Sequence, residues 1–157
     1  MTPEQLVNEV EAAQCIVIVG GPSTGKSTLA HRLKPSERVR CTDELVGVLE
    51  WSEASAEVAR WLDEPGPWVI EGVATARALR KWLLANPGKP LPCTVVLMAR
   101  PLVELSKGQA AMGKGVATVW NEIAPDVLAR GARVVRNDGP PAEQVRESRE
   151  GSAAPPQ

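Results

Sequence analysis

Eight consecutive residues carry the clearest chemical pattern in the chain. Residues 20–27 fit the spacing G-x-x-x-x-G-K-[ST] and follow an unbroken apolar run, CIVIVG, at 15–20. Glycines in such a loop let successive backbone N–H groups point toward phosphate oxygens. Lys26 supplies positive charge to the β- and γ-phosphates, and Ser27 offers a hydroxyl to Mg²⁺. The sequence therefore predicts a site for ATP with Mg²⁺. The residues expected to hold the nucleotide are Gly20, Gly21, Pro22, Ser23, Thr24, Gly25, Lys26, Ser27 and Thr28.

The motif needs a strand before it and a helix after it, and the neighbouring sequence predicts both. The β-branched run at 15–20 predicts a strand buried on both faces, and 26–33 predicts the helix whose positive end faces the phosphates. Four later segments predict further strands, at 38–41, 68–71, 93–98 and 132–136. Helical patterns lie between them, and this alternation predicts βαβ units with a parallel sheet.

Apolar residues at helical spacing predict where the helices lie. Residues 2–5 (TPEQ) predict a capped helix at the start of the chain. The i, i+3, i+4 pattern then occurs in three groups: Leu45, Val48 and Leu49; Val58, Trp61 and Leu62; and Leu79, Trp82 and Leu83. A last helix is expected at 116–130, interrupted by Pro125 and ended by Gly131.

Composition and charge restrict the class of protein. Of 157 residues, 43% are hydrophobic and 24% charged, which suffices for one soluble domain. Eighteen basic and 19 acidic side chains leave a net charge of -1, so charge gives no argument for nucleic-acid binding. No apolar run is long enough to cross a membrane and the N-terminus lacks the features of a signal peptide, so we expect a cytoplasmic protein without a membrane partner. One histidine and three separated cysteines predict neither a zinc site nor a disulfide framework.

The loop at 20–27, with its preceding strand and following helix, resembles that of the small P-loop kinases of the nucleoside-monophosphate-kinase-like group. That group includes adenylate, shikimate and gluconate kinases, the polynucleotide 5′-kinase domain and zeta-type toxins. The resemblance covers residues 14–136 and implies a three-layer α/β P-loop NTPase fold with a five-stranded parallel sheet. It also implies a short mobile lid at about 101–115, within a domain of residues 1–136. Residues 137–157 have almost no apolar periodicity and are predicted to form a flexible tail.

The resemblance gives two acidic residues a role. Asp43, in the run CTD at 41–43, is similar to the acid that members of the group place beyond the second strand, where it orients the acceptor hydroxyl and takes its proton. The alternative is that Thr42 or Asp43 only caps a helix through Val48. Glu71 ends the third predicted strand, at the edge where parallel strands meet ligands, and is expected to hold Mg²⁺ through water or to bind the acceptor.

Basic side chains near the same edge are candidates for contacts with anionic groups. Arg77 and Arg80 lie one turn apart, and we expect them either to clamp an acceptor phosphate or carboxylate or to lie on a solvated helix face. Members of the group carry lid arginines that neutralise the transferred phosphoryl group, whereas residues 101–115 here contain lysines and the glycines of a hinged loop. The candidates for this neutralising charge are Arg100, Lys107, Lys114 and Arg130.

These residues favour an ATP-dependent phosphotransferase that moves the γ-phosphate to a hydroxyl or phosphate acceptor, with ATP and Mg²⁺ as cofactors. The acceptor stays open among a small molecule, a nucleotide and a nucleic-acid end. Two alternatives also stay open: an ATPase that works on a partner protein, and a nucleotide-binding module without catalysis. The sequence contains no guanine-reading N/T-K-x-D motif, and it does not fix the oligomeric state.

Overall fold

A five-stranded, all-parallel sheet forms the centre of the protein, as the sequence predicts. The computed structural model describes residues 1–138. The strands are β1 (Cys15–Gly20), β2 (Val39–Cys41), β3 (Trp68–Glu71), β4 (Thr94–Met98) and β5 (Arg133–Asn137), in the sheet order β2-β3-β1-β4-β5. Each lies within one residue of its predicted bounds. The central position of β1 places the loop that follows it in the middle of the carboxyl-terminal edge of the sheet.

Helices cover both faces of the sheet and complete a three-layer α/β fold. The helices are α1 (Pro3–Val10), α2 (Lys26–Arg32), α3 (Trp51–Trp61), α4 (Thr75–Ala85) and α5 (Lys107–Ala129). In β1, Ile16 and Ile18 pack with α1 and α2 on one face, while Val17 and Val19 pack with α3, α4 and α5 on the other. Burying each such side chain stabilises the fold by about 1.5–3 kcal/mol, so the apolar run of β1 holds both helical layers.

The helix expected at Leu45, Val48 and Leu49 is wrong. This segment contains a short bridge between Val46 and Leu49, and Val48 is 79% exposed. Gly47 has a φ of +92°, in the left-handed region that interrupts a right-handed helix. The apolar spacing therefore reflects a turn before α3 rather than one buried helix face.

The predicted loop at 101–115 is helical from Lys107 onward, and α5 therefore begins nine residues earlier than expected. Its N-cap is Ser106, whose Oγ accepts a hydrogen bond from Gln109 N (3.2 Å), while Gln109 Oε1 accepts one from Ser106 N (3.0 Å). This reciprocal pair stabilises the first turn despite the nearby glycines. The predicted interruption at Pro125 is wrong, because the helix continues through this residue. Gly131 follows the end of the helix with a φ of +88°, as predicted.

The predicted tail begins at residue 137, which the structure places in β5. Asn137 is the last residue of this strand and pairs in register with Met98 of β4. The rest of the predicted tail, from residue 139, lies outside the described residues. None of the helices within residues 1–138 is both long and apolar enough to cross a lipid bilayer.

Candidate phosphate-binding site

The loop between β1 and α2 has the tight backbone path that a phosphate-binding loop requires. Gly25 has a φ of +90° and Ser23 a φ of +58°. A side chain at Gly20 would clash, because a Cβ there would lie 2.6 Å from Thr24 Oγ1 and 2.9 Å from the Met98 carbonyl. Thr24 Oγ1 donates a hydrogen bond to the Gly21 carbonyl (3.0 Å) and closes the loop on itself. The loop is therefore held in shape by its own residues and by β4.

Lys26 begins α2 and directs its side chain back into this loop. It is 6% exposed, and its Nζ donates a hydrogen bond to the Gly21 carbonyl (2.5 Å). Burial lowers the pKa of the ammonium, and the Asp43 and Glu71 carboxylates oppose that effect. Within residues 1–138 this is the ammonium's only hydrogen bond, although an ammonium has three donors. Lys26 therefore has donors left for an anion held at the start of α2.

Glu71 and Ser27, the two residues predicted to hold Mg²⁺, are in contact beside the loop. Ser27 Oγ donates a hydrogen bond to Glu71 Oε1 (3.1 Å). Glu71 is 2% exposed, and its Oε2 atom has no hydrogen-bond partner within residues 1–138. An unpartnered buried carboxylate oxygen is costly unless a ligand satisfies it. The hydroxyl and the carboxylate are hard oxygen donors, which is the chemistry that Mg²⁺ prefers.

Cys41 lies next to Glu71 across the β2–β3 pairing. Burial, followed by the interaction of the thiol with the Glu71 carboxylate, raises the pKa of Cys41 to about 12. The thiol is therefore protonated at neutral pH, and it adds no negative charge beside Glu71 and Asp43. Cys41 contributes a neutral neighbour to the site rather than a nucleophile.

Asp43 and Thr42 dock the turn after β2 onto the loop between β3 and α4. Asp43 Oδ1 accepts a hydrogen bond from Val73 N (3.3 Å), and Thr42 Oγ1 accepts one from Ala74 N (3.4 Å). The contact needs Gly72, because a Cβ there would lie 1.9 Å from Thr42 Oγ1. The two side chains thus bind amides at the start of α4, and the expected cap of a helix through Val48 is wrong. Asp43 itself remains exposed.

The loop, Asp43 and α5 enclose one cavity of about 590 Å³. Its lining residues are Pro22, Ser23, Thr24, Gly25, Lys26, Ser27, Thr28, Asp43, Val46, Val73, Gln109 and Met112. Helix α5 approaches the loop closely, because a Cβ at Gly21 would lie 2.8 Å from Gly113 Cα. Sequence reasoning missed Gln109 and Met112 as site residues. The spacing of Ser106 and Gln109, which is that of a capping box, is the signal that places this stretch on a helix.

A smaller pocket of about 100 Å³ lies on the other side of the same loop. It shares Thr24, Gly25 and Thr28 with the larger cavity, so the two cavities border each other. Its remaining walls are mostly apolar and come from the first residue, α1, α2, β4 and the segment after β4: Met1, Pro3, Leu6, Leu29, Met98 and Leu102, with the polar side chains of Arg32 and Asn137 beside them. Arg100 also lines this pocket, which places it beside the loop at 20–27 but outside the larger cavity.

The remaining basic candidates are not brought into the larger cavity. Arg80 pairs with Glu122 of α5 (Nη1 to Oε2, 3.2 Å), and Arg77 lies over the Trp51 ring, 5.1 Å from its centroid. Lys107 and Lys114 are exposed on α5, and neither lines the cavity. The structure therefore brings together the loop, Asp43 and Glu71, but not the basic side chains expected around them.

Arg130 lies at the opposite, amino-terminal edge of the sheet. Its guanidinium donates hydrogen bonds to the carbonyls of Asn86 (2.6 Å), Lys89 (3.0 Å) and Leu83 (3.2 Å) and pairs with Asp126. These groups lie at the end of α4 and in the turn before β4. Arg130 is consequently a helix-capping residue and cannot neutralise a phosphoryl group in the cavity.

In comparisons with known proteins, no protein-family model matches the chain, and no curated protein is a detectable relative. Within residues 1–138, no cluster of three or more His, Cys, Asp or Glu side chains is arranged to hold a metal ion. Mg²⁺ does not need such a cluster, because it takes one or two protein oxygens together with phosphates and water. Ser27 and Glu71 fit that limited role.

Proposed function

We propose that the protein is an ATP-dependent phosphotransferase of the small P-loop kinase type. The observation that carries this proposal is the placement of Lys26 and Asp43 on one cavity. Lys26 has a buried ammonium with unused donors beside the phosphate loop, and Asp43 presents an exposed carboxylate beyond it. A positive group for the donor phosphates and a base for an acceptor are the two parts that phosphoryl transfer requires.

The loop would position the donor. Its N–H groups and the start of α2 would bind the β- and γ-phosphates, with Lys26 neutralising charge as the bond to the leaving oxygen lengthens. The smaller apolar pocket beside Thr28 suits the nucleobase of the same nucleotide, with Arg100 on its wall. Ser27 and Glu71 would hold Mg²⁺, which supplies further neutralisation of the phosphate oxygens when bound. This arrangement supports ATP with Mg²⁺ as the cofactor pair.

A second candidate function, hydrolysis of ATP, is favoured by one observation. Gln109 lines the cavity, and a glutamine amide can orient an attacking water. Its Oε1 atom, however, already accepts the Ser106 amide hydrogen bond that begins α5. Water attack would therefore compete with helix capping, and we place hydrolysis second.

The proposal is tested by following the γ-phosphate of labelled ATP in the presence of Mg²⁺ and a broad mixture of acceptors. We expect label in an acceptor with the parent protein and about a thousandfold slower transfer with Lys26→Ala. Lys89→Ala, an exposed lysine in the turn before β4, is the matched control and should transfer label at the parent rate. Release of label only to water would establish hydrolysis instead. Equal transfer by Lys26→Ala and the parent would remove the loop from the reaction.

A further inference from the structure

The part of the cavity that faces the phosphate loop is poor in positive charge. Its side chains are those of Asp43, Val46, Val73, Gln109 and Met112. Within residues 1–138, Lys26 is the one basic residue that lines the cavity, and it lies in the loop that would hold the donor phosphates. An anionic acceptor would therefore meet a carboxylate, an amide and apolar groups, with no cation of its own.

The two arginines that sequence reasoning offered for an anionic acceptor are engaged elsewhere. Arg80 pairs with Glu122, and Arg77 stacks on Trp51. Arg77 is further confined by α5, because a Cβ at Gly115 would lie only 3.2 Å from its Nη2 atom. A bidentate clamp on a phosphate needs a guanidinium directed at the ligand. Neither arginine lines the cavity to provide one.

Asp43, by contrast, is arranged to receive a hydroxyl. Its Oδ1 atom is held by Val73 N, and its other carboxylate oxygen makes no hydrogen bond within residues 1–138. The side chain is exposed toward the cavity that it lines. A carboxylate fixed through one oxygen and open at the other can accept the proton of an alcohol. The same carboxylate repels a phosphate dianion at the same position.

We propose that the acceptor is a small uncharged alcohol with an apolar face, and not a phosphate monoester or a nucleic-acid end. This inference rests on the proposed phosphotransferase function and names its substrate class. The acceptor hydroxyl oxygen forms a bond to the γ-phosphorus as the bond from that phosphorus to the β,γ-bridging oxygen breaks. The hydroxyl proton passes to Asp43 and then to solvent, and the products are a phosphate monoester and ADP. Val46, Val73 and Met112 provide apolar contacts for the body of the alcohol.

The test uses ATP whose γ-phosphoryl oxygens carry a heavy isotope, the full-length protein with Mg²⁺, and matched acceptor pairs. Each pair holds an alcohol and its phosphate ester: glycerol and glycerol 3-phosphate, a hexose and its 6-phosphate, a nucleoside and its 5′-monophosphate. A mixed pool of small metabolites is added as an unbiased arm, and mass spectrometry locates the labelled group. We expect the label on compounds that carried no phosphate before the reaction, at a rate at least tenfold above that for the esters.

Variants sharpen the test. Asp43→Asn should lower kcat for the alcohol by about a hundredfold or more while changing the KM for ATP less than threefold. Glu44→Gln, a neighbouring exposed acid that does not line the cavity, is the matched control and should keep the parent kcat. Label on phosphate esters alone, or faster ester phosphorylation than alcohol phosphorylation, would overturn the inference and leave the phosphotransferase standing. Label found only in inorganic phosphate would overturn both.

Discussion

Charged side chains at the two edges of the sheet differ in how many hydrogen bonds they make. At the amino-terminal edge, Arg130 makes hydrogen bonds to three backbone carbonyls and pairs with Asp126. Arg38 there binds the carbonyls of Ala13 and Glu11 with both terminal nitrogens, and only its buried Nε atom has no partner within residues 1–138. At the carboxyl-terminal edge, the Lys26 ammonium has a single hydrogen bond within residues 1–138. The arginines at one edge join elements through backbone carbonyls, whereas Lys26 at the other edge has donors without a partner in residues 1–138.

This difference shows why charge alone does not mark a functional site. Arg80 and Arg130 carry the same positive charge as Lys26, but Arg80 pairs with Glu122 and Arg130 binds the end of α4. Glu71 Oε2 is the opposite case, a buried acceptor with no partner in the described part of the chain. Unused hydrogen-bonding capacity in a buried group has a free-energy cost, and a ligand that satisfies the group repays it.

The largest expected effect is a loss of ATP binding in Lys26→Met. Removing the buried ammonium should weaken affinity for Mg-ATP by about a thousandfold, because no other basic side chain of residues 1–138 lines the cavity. The free energy of unfolding should stay equal or rise, since burial already lowers the pKa of this ammonium. Calorimetric titration and urea unfolding check both parts. A large loss of stability with unchanged affinity would make Lys26 a structural residue like those at the other edge.

The reverse pattern is expected for Arg130→Met. Loss of the guanidinium leaves carbonyls at the end of α4 without donors, and we expect the free energy of unfolding to fall by about 3 kcal/mol. Transfer of phosphate at temperatures below the transition should remain within twofold of the parent rate. Arg60→Met is a suitable control, because within residues 1–138 that exposed arginine pairs only with Glu57 on the same helix. This substitution should lower the free energy of unfolding by less than about 0.5 kcal/mol. If Arg130→Met instead lost phosphate transfer and kept its stability, Arg130 would not be a purely structural residue, and the contrast between the two edges would be wrong.

Much of the fold, and less of the site, could be predicted from the sequence. The motif at 20–27 and the strand before it can be recognised because their residues are adjacent in the sequence. The structure confirms the strand and the helix that follows the loop. The partners of Arg77 and Arg80 could not be predicted, because Trp51 and Glu122 lie far away in the chain. The apolar i, i+3, i+4 pattern of a helix shows that an arginine lies off the buried face. It does not show which distant residue the arginine contacts.

The role of the glycines at 113 and 115 also could not be predicted from the local sequence. They suggest a hinged loop when considered locally, but Gly113 lies where α5 approaches the backbone of Gly21. Gly115 similarly leaves room for the Arg77 guanidinium. The close approach at Gly113 requires a small residue at Gly21, and the small size of Gly115 serves the contact with α4. Such contacts between distant segments leave no local pattern in the sequence.

A smaller effect is expected for Glu71→Gln. The neutral amide should raise the free energy of unfolding by about 1 kcal/mol, because a buried oxygen without a partner costs less when it carries no charge. The Mg²⁺ concentration for half-maximal turnover should rise about tenfold, since one carboxylate ligand is lost. Glu53→Gln, an exposed acid on α3, controls for the loss of charge. Lower stability with an unchanged Mg²⁺ requirement would show that Glu71 supports the fold and not a metal.

The smallest effects are expected where α5 approaches the phosphate loop, at Gly113 and Gly21. We compare the substitutions Gly113→Ala and Gly21→Ala, one on each side of this contact. At Gly113 a Cβ meets nothing nearer than Pro22 Cδ at 4.0 Å, so alanine should stabilise α5 by about 0.5–1 kcal/mol and leave turnover within twofold. At Gly21 the same methyl group would lie 2.8 Å from the Gly113 backbone and should force α5 away from the phosphate loop, lowering both stability and turnover. Urea unfolding and label transfer measure the pair. If Gly113→Ala instead abolished turnover while raising stability, residue 113 would have to leave the helix during the reaction, and the start of α5 would act as the hinged lid.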